Sequence, residues 1–321
     1  MTSALQETAP VRWHVLGTGA MGCLWAVRLW QHAPLHQRVT LLLRDAAQMA
    51  AYRQCAGITL EEGSEILTAL PLPAETVTET GPVLTHLLVA TKAQNVAAAL
   101  ASVRQRLTGT TRIVLLQNGV RVQREISAQF GAARVFCLST SHGAWRRAPF
   151  HVIHAGRGTA WLGSLGHASA ADLEALLALL PSQSMQIRTD RDIAMRLWQK
   201  FAVNCAVNAL SVLYDCRNGE LLRQPAARRE LEELVTEIAA VLASVPDVPR
   251  LPDLPDSVAE VLRVSANNVS STLQDVRHGR ATELAHLNGY LCDLARQHGV
   301  ESPLNDALLQ RVAALPNAPA A

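Results

Sequence analysis

The sequence predicts an α/β protein, with a doubly wound parallel sheet in its first half and an all-helical domain in its second. Three observations carry that expectation. Up to about residue 185, short apolar runs alternate with helix-patterned stretches, the rhythm of strand–helix–strand units. From Asp190 onward the strand periodicity disappears and every patterned stretch is helical. The 321 residues are enough for two domains with separate cores. The expected division is residues 1–188 and 189–321.

Composition excludes several function classes. With 49% apolar residues and a net charge of +2, the chain is a folded globular protein, neither disordered nor a polyelectrolyte binder. Basic residues are dispersed, and no Lys/Arg block is interleaved with aromatics, so no nucleic-acid partner is expected. No run approaches the roughly 18 apolar residues of a membrane span. Met1–Pro10 lacks the basic start and apolar run of a signal peptide and reads as a short flexible arm. Cys23, Cys55, Cys137, Cys205, Cys216 and Cys292 are scattered, without a C-x-x-C pair or a His at ligand spacing. They read as thiols of a cytoplasmic protein with no metal site.

The first half opens with a strand over Val11–Leu16 that ends in Gly17-Thr18-Gly19-Ala20-Met21-Gly22, before a helix beginning near Cys23. This is G-x-G-x-x-G between strand and helix, the Rossmann-type context. The first glycine permits the turn, the second lets backbone approach a pyrophosphate, and the third allows close helix–strand packing. A bound dinucleotide is therefore expected. The second strand, Val39–Leu43, ends in Arg44 where an NAD-binding chain carries an acid, which favours the 2′-phosphate of NADP; Asp45 follows at once. Gly57–Leu70 reads as a hairpin turning at Glu61-Glu62-Gly63, and Val96–Leu107 as a helix. Strands at Leu84–Ala90, Ile113–Gln117 and Val135–Ser139 end near Lys92, Asn118 and the pair Ser141/His142. Ligands of open parallel sheets sit off such ends, so all three are expected near the cofactor. Arg146–Phe150 reads as a loop, and His151–Ala155 with Thr159–Gly163 as a hairpin that finishes the sheet. A helix capped by Ser169 runs to Leu180.

In the second half, Lys200, Asn204 and Asn208 recur every four residues and form one stripe on a helix that is otherwise Phe201, Ala202, Val203, Cys205, Ala206 and Val207. A cation and two amides among apolar neighbours need partners, which a small polar substrate or an interior network would supply. Asn218-Gly219-Glu220 stops that helix and starts another, and a further helix covers about Pro225–Ser244. Four prolines make Val245–Asp256 a loop. Ser257–Val276 reads as one long helix with a polar insertion, Asn267–Thr272, and Thr282–Gly289 opens another helix. The tail after Leu315 reads as loose.

Taken together, these motifs resemble the ketopantoate reductase (2-dehydropantoate 2-reductase) family over nearly the whole chain. The resemblance rests on G-x-G-x-x-G, Arg44, T-K-A at Thr91–Ala93, Q-N-G at Gln117–Gly119 and S-H-G-A at Ser141–Ala144. Further on it rests on K-F-A-V-N-C-A-V-N from Lys200, the C-R-N-G-E-L run, N-V-S-S-T-L-Q-D-V from Asn268 and T-E-L-x-x-L-N-G from Thr282. It implies NADPH-dependent reduction of ketopantoate to (R)-pantoate, with Lys200 as proton donor. It also implies substrate contacts from Lys200, Asn204, Asn208, Asn218, Asn268, Val269, Ser270 and Ser271. Cofactor contacts fall to Gly17, Thr18, Gly19, Ala20, Met21, Gly22, Arg44, Lys92, Asn118, Ala144 and Glu283. Burial would lower the pKa of Lys200 and Glu283 would raise it; sequence leaves the balance open. A reductase of another 2-keto or 3-hydroxy acid, and a non-catalytic NADP(H) sensor, are the alternatives. A monomer and a homodimer fit equally.

Overall fold

The structure is a computed structural model that describes residues 11–32, 39–166, 168–251 and 253–315; the expected arm at Met1–Pro10 and the tail after Leu315 lie outside them. The chain divides into two compact units, Met1–Gln117 with Gln123–Ile193, and Asn118–Val122 with Ala194–Ala321.

The first unit is built on β1 (Trp13–Leu16), which is buried at every position, as a strand covered on both faces must be. It lies between β2 (Val39–Leu43) and β6 (His86–Val89), parallel to both. Beyond β2 lies β5 (Ala74–Thr76). Beyond β6 come β7 (Arg112–Leu115), β8 (Val135–Thr140), β11 (Ala160–Gly163) and β12 (Ile187–Thr189), in that order. Only β8 with β11 is antiparallel. Helices α1 (Ala20–Gln31), α2 (Ala46–Gln54), α3 (Val96–Ser102), α4 (Arg121–Phe130) and α5 (Ala170–Leu177) supply the connections. Ser169 caps α5, accepting from the Asp172 amide at 3.1 Å, as the sequence implied. Trp13, Leu24, Trp25, Leu41 and Phe136 form the centre of the core.

A second sheet departs from the sequence reading. β3 (Ile58–Glu62) and β4 (Glu65–Leu70) form the expected hairpin, but β3 also pairs in parallel with β10 (His151–Gly156), which pairs with β9 (Gly143–Ala148). The expected hairpin of His151–Ala155 with Thr159–Gly163 is therefore wrong: the first strand belongs to this four-stranded sheet and the second to the main one. Arg146–Ala148, read as loop, is strand. As an edge strand with mostly exposed residues, β9 carries no inside–outside alternation to read. The Val96–Leu107 helix stops at Ser102, whose hydroxyl turns back to the Ala99 carbonyl at 2.7 Å, and a 3₁₀ turn follows.

Between the second sheet and α1 lies a polar cluster. Glu62 takes Arg28 at 2.5 Å and both ends of Arg157 at 3.0 Å, and His154 approaches it to 2.5 Å. His154 meets His142 at 3.0 Å, and the His142 ring donates to the Met185 carbonyl at 3.0 Å. His142 is 7% exposed, and the Ser141 hydroxyl is spent on Thr159. His142 is thus structural, and the expectation that it faces a cofactor is corrected; Ser141 stays exposed just past the end of β8. Burial opposes ionisation of Glu62, but Arg157, Arg28 and His154 outweigh it and hold its carboxyl down to about 2. Burial also lowers His142.

The second unit is helical: α6 (Ile193–Leu213), α7 (Glu220–Arg223), α8 (Pro225–Ser244), α9 (Leu254–Val264), α10 (Ser271–Arg277), α11 (Asn288–Gln297) and α12 (Pro303–Ala313). The proline-rich loop ends earlier than expected, because Pro255 sits in the first turn of α9, where a missing N–H costs nothing. The expected single helix over Ser257–Val276 is broken at Ser265–Ser270. The Ser265 hydroxyl bonds the Val261 carbonyl at 2.6 Å, and Ser270 caps a new helix through the Leu273 amide at 3.0 Å. Thr282–Gly289 likewise opens with a 3₁₀ turn over Leu284–His286 before α11.

Two outcomes are expected. Glu62→Gln strands its arginines and lowers stability by about 3–5 kcal/mol in denaturant unfolding. Melting temperature falls on acidification, first below pH 6.5 as the unfolded chain gains the protons that His14, His86, His142 and His154 resist when folded, then below pH 4.5 as the unfolded chain gains the proton that Glu62 resists down to about 2. Glu62→Gln shrinks the second phase, leaving the smaller part that Asp45 and Glu79 contribute.

Candidate active site

In the first unit the strand order reverses at β1, and the glycine turn leaves β1 at that point. Gly17 has φ +102°, and a Cβ there would meet the Thr91 amide at 2.7 Å. A Cβ on Gly22 would lie 1.8 Å from the Gly17 carbonyl oxygen. A side chain at either position would push backbone apart. Gly19 differs, because a Cβ there would meet nothing within 4 Å. It is also the N-cap of α1 with no side chain bonded to the helix amides. An open approach and uncapped amides fit a phosphate-bearing ligand.

The neighbouring strand ends are tied to this turn. Thr18 accepts from the Gln48 side chain at 2.9 Å, and Gln48 accepts from the Arg44 amide at 2.7 Å. Asp45 caps α2 through the Gln48 amide at 2.8 Å and pairs with Arg44 at 2.9 Å. Arg44 itself is 84% exposed. Lys92 is half-buried and precedes the 3₁₀ turn after β6. Gln117 holds the end of that strand, donating to the carbonyls of Val89 at 2.8 Å and Thr91 at 3.0 Å. Ala144 lies in β9, opposite His154.

In the second unit, α6 carries the stripe on a helix whose remaining faces are packed. Phe201, Ala202, Cys205 and Ala206 are fully buried, Asn208 is 6% exposed, and Lys200 and Asn204 are half-buried. Phe201 packs edge-on against Trp198 and Tyr290, at 5.5 and 5.9 Å between centroids. Burial pushes the Lys200 ammonium down from 10.5 to about 8, with the Glu283 carboxylate opposing the fall. The structure thus settles the balance that sequence left open, in favour of burial. A lysine near 8 can both carry charge and give up a proton close to neutral pH.

The other expected residues gather by backbone stitching. The Asn218 amide donates to the Asn268 carbonyl at 3.0 Å and the Gly219 amide to Ala266 at 3.0 Å. The Asn218 side chain donates to Ser265 at 2.8 Å, while its buried carbonyl oxygen has no protein partner. Val269 accepts from Gln274 at 3.1 Å. Asn268 and Ser271 are exposed, and Ser270 is buried. Asn118 belongs to this unit too, beside Gly119, which lies against the His286 carbonyl. Asn288, fully buried, donates to the Cys205 carbonyl of α6 at 2.9 Å and to Asn305 at 2.8 Å, anchoring the segment that follows Glu283.

Sequence reasoning passed over Gln48, Ser211 and Asn288. Gln48 was the most accessible of them, three residues after an Asp at a strand end, the spacing of a helix cap. Ser211 and Asn288 act through partners distant in the chain, and no local pattern marks them.

Comparison with known proteins identifies the family. The family described as ketopantoate reductase PanE/ApbA matches residues 13–167, and its C-terminal counterpart matches residues 192–315. A 2-dehydropantoate 2-reductase of Vibrio cholerae is 31% identical over 304 residues, covering 94% of this chain and 96% of that protein. A 2-dehydropantoate 2-reductase of Shigella flexneri is 31% identical over 298 residues, covering 93% of each. Among solved structures, a probable 2-dehydropantoate 2-reductase of Bacillus subtilis superposes with TM-score 0.76 at 26% identity, over 95% of this chain and 99% of that one. A D-mandelate dehydrogenase with NADH and anilino(oxo)acetate superposes with TM-score 0.85 at 22% identity, over 95% and 98%, a likeness of fold. The two family matches and the full-length relatives show that this chain belongs to the ketopantoate reductase family of oxidoreductases.

Proposed function

We propose that the protein reduces ketopantoate to (R)-pantoate with NADPH, and that Lys200 is the proton donor. The observation that carries this reading is Lys200 itself, a lysine lowered to about 8 on a helix that also presents Asn204 and Asn208. When bound, the nicotinamide supplies the hydride to the substrate's 2-keto carbon. Negative charge then develops on the ketone oxygen, and an ammonium beside it stabilises that charge and gives it a proton. Asn204, Asn208 and Asn218 offer uncharged amides to the substrate's hydroxyl and keto groups. The Asn268–Ser271 segment takes its carboxylate. Glu283 keeps Lys200 protonated far enough up in pH to act as an acid.

Cofactor binding falls to Gly17–Gly22, Lys92, Asn118, Ala144 and Glu283, with Arg44 on the 2′-phosphate. The exposure of Arg44 supports NADP. So does the engagement of Asp45, whose carboxylate is occupied with capping α2 and so is a poorer partner for ribose hydroxyls. A second reading, reduction of a different 2-keto acid, is favoured by the fold likeness to a mandelate dehydrogenase.

NADPH oxidation with ketopantoate, beside NADH and a panel of other 2-keto acids, separates these readings. A preference for ketopantoate and NADPH is expected; turnover confined to another keto acid would leave the chemistry and move the substrate. Arg44→Ala is expected to raise KM for NADPH by roughly tenfold or more while leaving that for NADH near its starting value. Lys200→Ala should lower kcat by about 10²–10⁴ with NADPH still bound. In the unaltered enzyme kcat should fall as pH rises through about 8, because the acid form of Lys200 is then lost. Glu283→Gln removes the group that raises Lys200 and moves that fall to lower pH.

A further inference from the structure

The hydroxyls around the Asn268–Ser271 segment are not equivalent. Ser211 lies on α6, three residues after Asn208, and is fully buried. Its hydroxyl donates to the Asn208 carbonyl at 2.7 Å and lies 2.6 Å from the hydroxyl of Ser270, itself 6% exposed. A serine has one proton to give. With the Ser211 proton committed to the Asn208 carbonyl, the bond between the two serines requires Ser270 to be the donor. Ser270 meanwhile accepts the Leu273 amide at 3.0 Å as the cap of α10. Its donor is therefore spent inward and one of its acceptor positions is filled. Ser271, next in the chain, is exposed.

We propose that Ser211 is a positioning residue for the substrate's carboxylate: it locks Ser270 as an internal strut between α6 and α10, leaving Ser271 as the hydroxyl offered to the carboxylate. The inference rests on the proposed function, since it assigns parts within the same substrate site. The strut fixes two things at once. It joins the helix bearing Asn204 and Asn208 to the segment that faces the acid group, so a buried bond directly beside the carboxylate-binding serine helps set its distance from the hydroxyl-binding amides. An apolar residue at position 211 would fill the same space without setting that distance.

The test is steady-state kinetics of Ser211→Ala, Ser271→Ala, the double variant, and Leu308→Ala, a buried position on α12, as a destabilised control. Ser211→Ala should raise KM for the 2-keto acid by about tenfold, with kcat and KM for NADPH within about twofold of the unaltered enzyme. Because Ser211 acts by placing Ser271, the double variant should lose less than the product of the two single losses. Ser211→Cys, which keeps a hydrogen-bonding group but weakens the bond, should fall between. If it is only Ser211→Ala that fails to fold, Ser211→Cys carries the comparison. Leu308→Ala should lower the melting temperature without moving KM. The proposal is overturned if Ser211→Ala leaves KM for the keto acid unchanged while Ser271→Ala raises it, or if the two losses multiply independently. If Ser271→Ala itself has no effect on that KM, the substrate site has been misplaced, which is a different failure.

Discussion

A cation carried on a helix whose other faces are packed has to be balanced by polar groups brought from elsewhere in the chain, and α6 is organised around that need. Lys200, half-buried, is flanked in sequence by Trp198 and Phe201, which are almost fully removed from solvent. Desolvation destabilises its charged form, and the carboxylate of Glu283 offsets part of that loss. The same helix buries Asn208 and Ser211: the Asn208 carbonyl accepts from the Ser211 hydroxyl one turn on, and Ser211 also meets Ser270, distant in sequence. The second unit is accordingly held together by polar struts as well as by its leucines. Asn288 reaches the Cys205 carbonyl, Asn305 reaches Glu237, and Ser211 reaches Ser270. Buried polar contacts of this kind favour one arrangement of helices, because any other leaves more donors or acceptors stranded.

The first unit meets a different constraint, close approach of backbone to backbone. Gly17 and Gly22 bring β1, the segment after β6 and the start of α1 within distances that no side chain tolerates. The surrounding polar groups are then arranged about the turn: Gln48 spans Thr18 and Arg44, and Gln117 closes over the end of β6. The small second sheet is anchored to α1 by charge, with Glu62 gathering Arg28 from the helix and Arg157 from the crossover to β11. That gathering explains why His142 turns inward. Its ring is fixed between His154 and the Met185 carbonyl, so it is a support for the sheet.

The misplaced helix ends share one cause. Ser102, Ser265 and Ser270 each end or begin a helix where the apolar period alone continues through, because a short hydroxyl side chain competes for backbone partners. β9 escaped notice because an exposed edge strand has no reason to alternate. β10 and β11 were joined because adjacent short strands usually pair, and here the chain crosses between sheets instead.

The sequence by itself determined the glycine turn between strand and helix, the change from strand–helix alternation to helices, and the stripe of Lys200, Asn204 and Asn208. Each is a local pattern with a fixed period or spacing, and local backbone geometry dictates its outcome. Only the tertiary structure decided the pKa of Lys200, the inward role of His142 and the burial of Ser270 beside an exposed Ser271. Those depend on which distant groups arrive next to a side chain and how much solvent they exclude, and neither quantity is written in the spacing of residues along the chain.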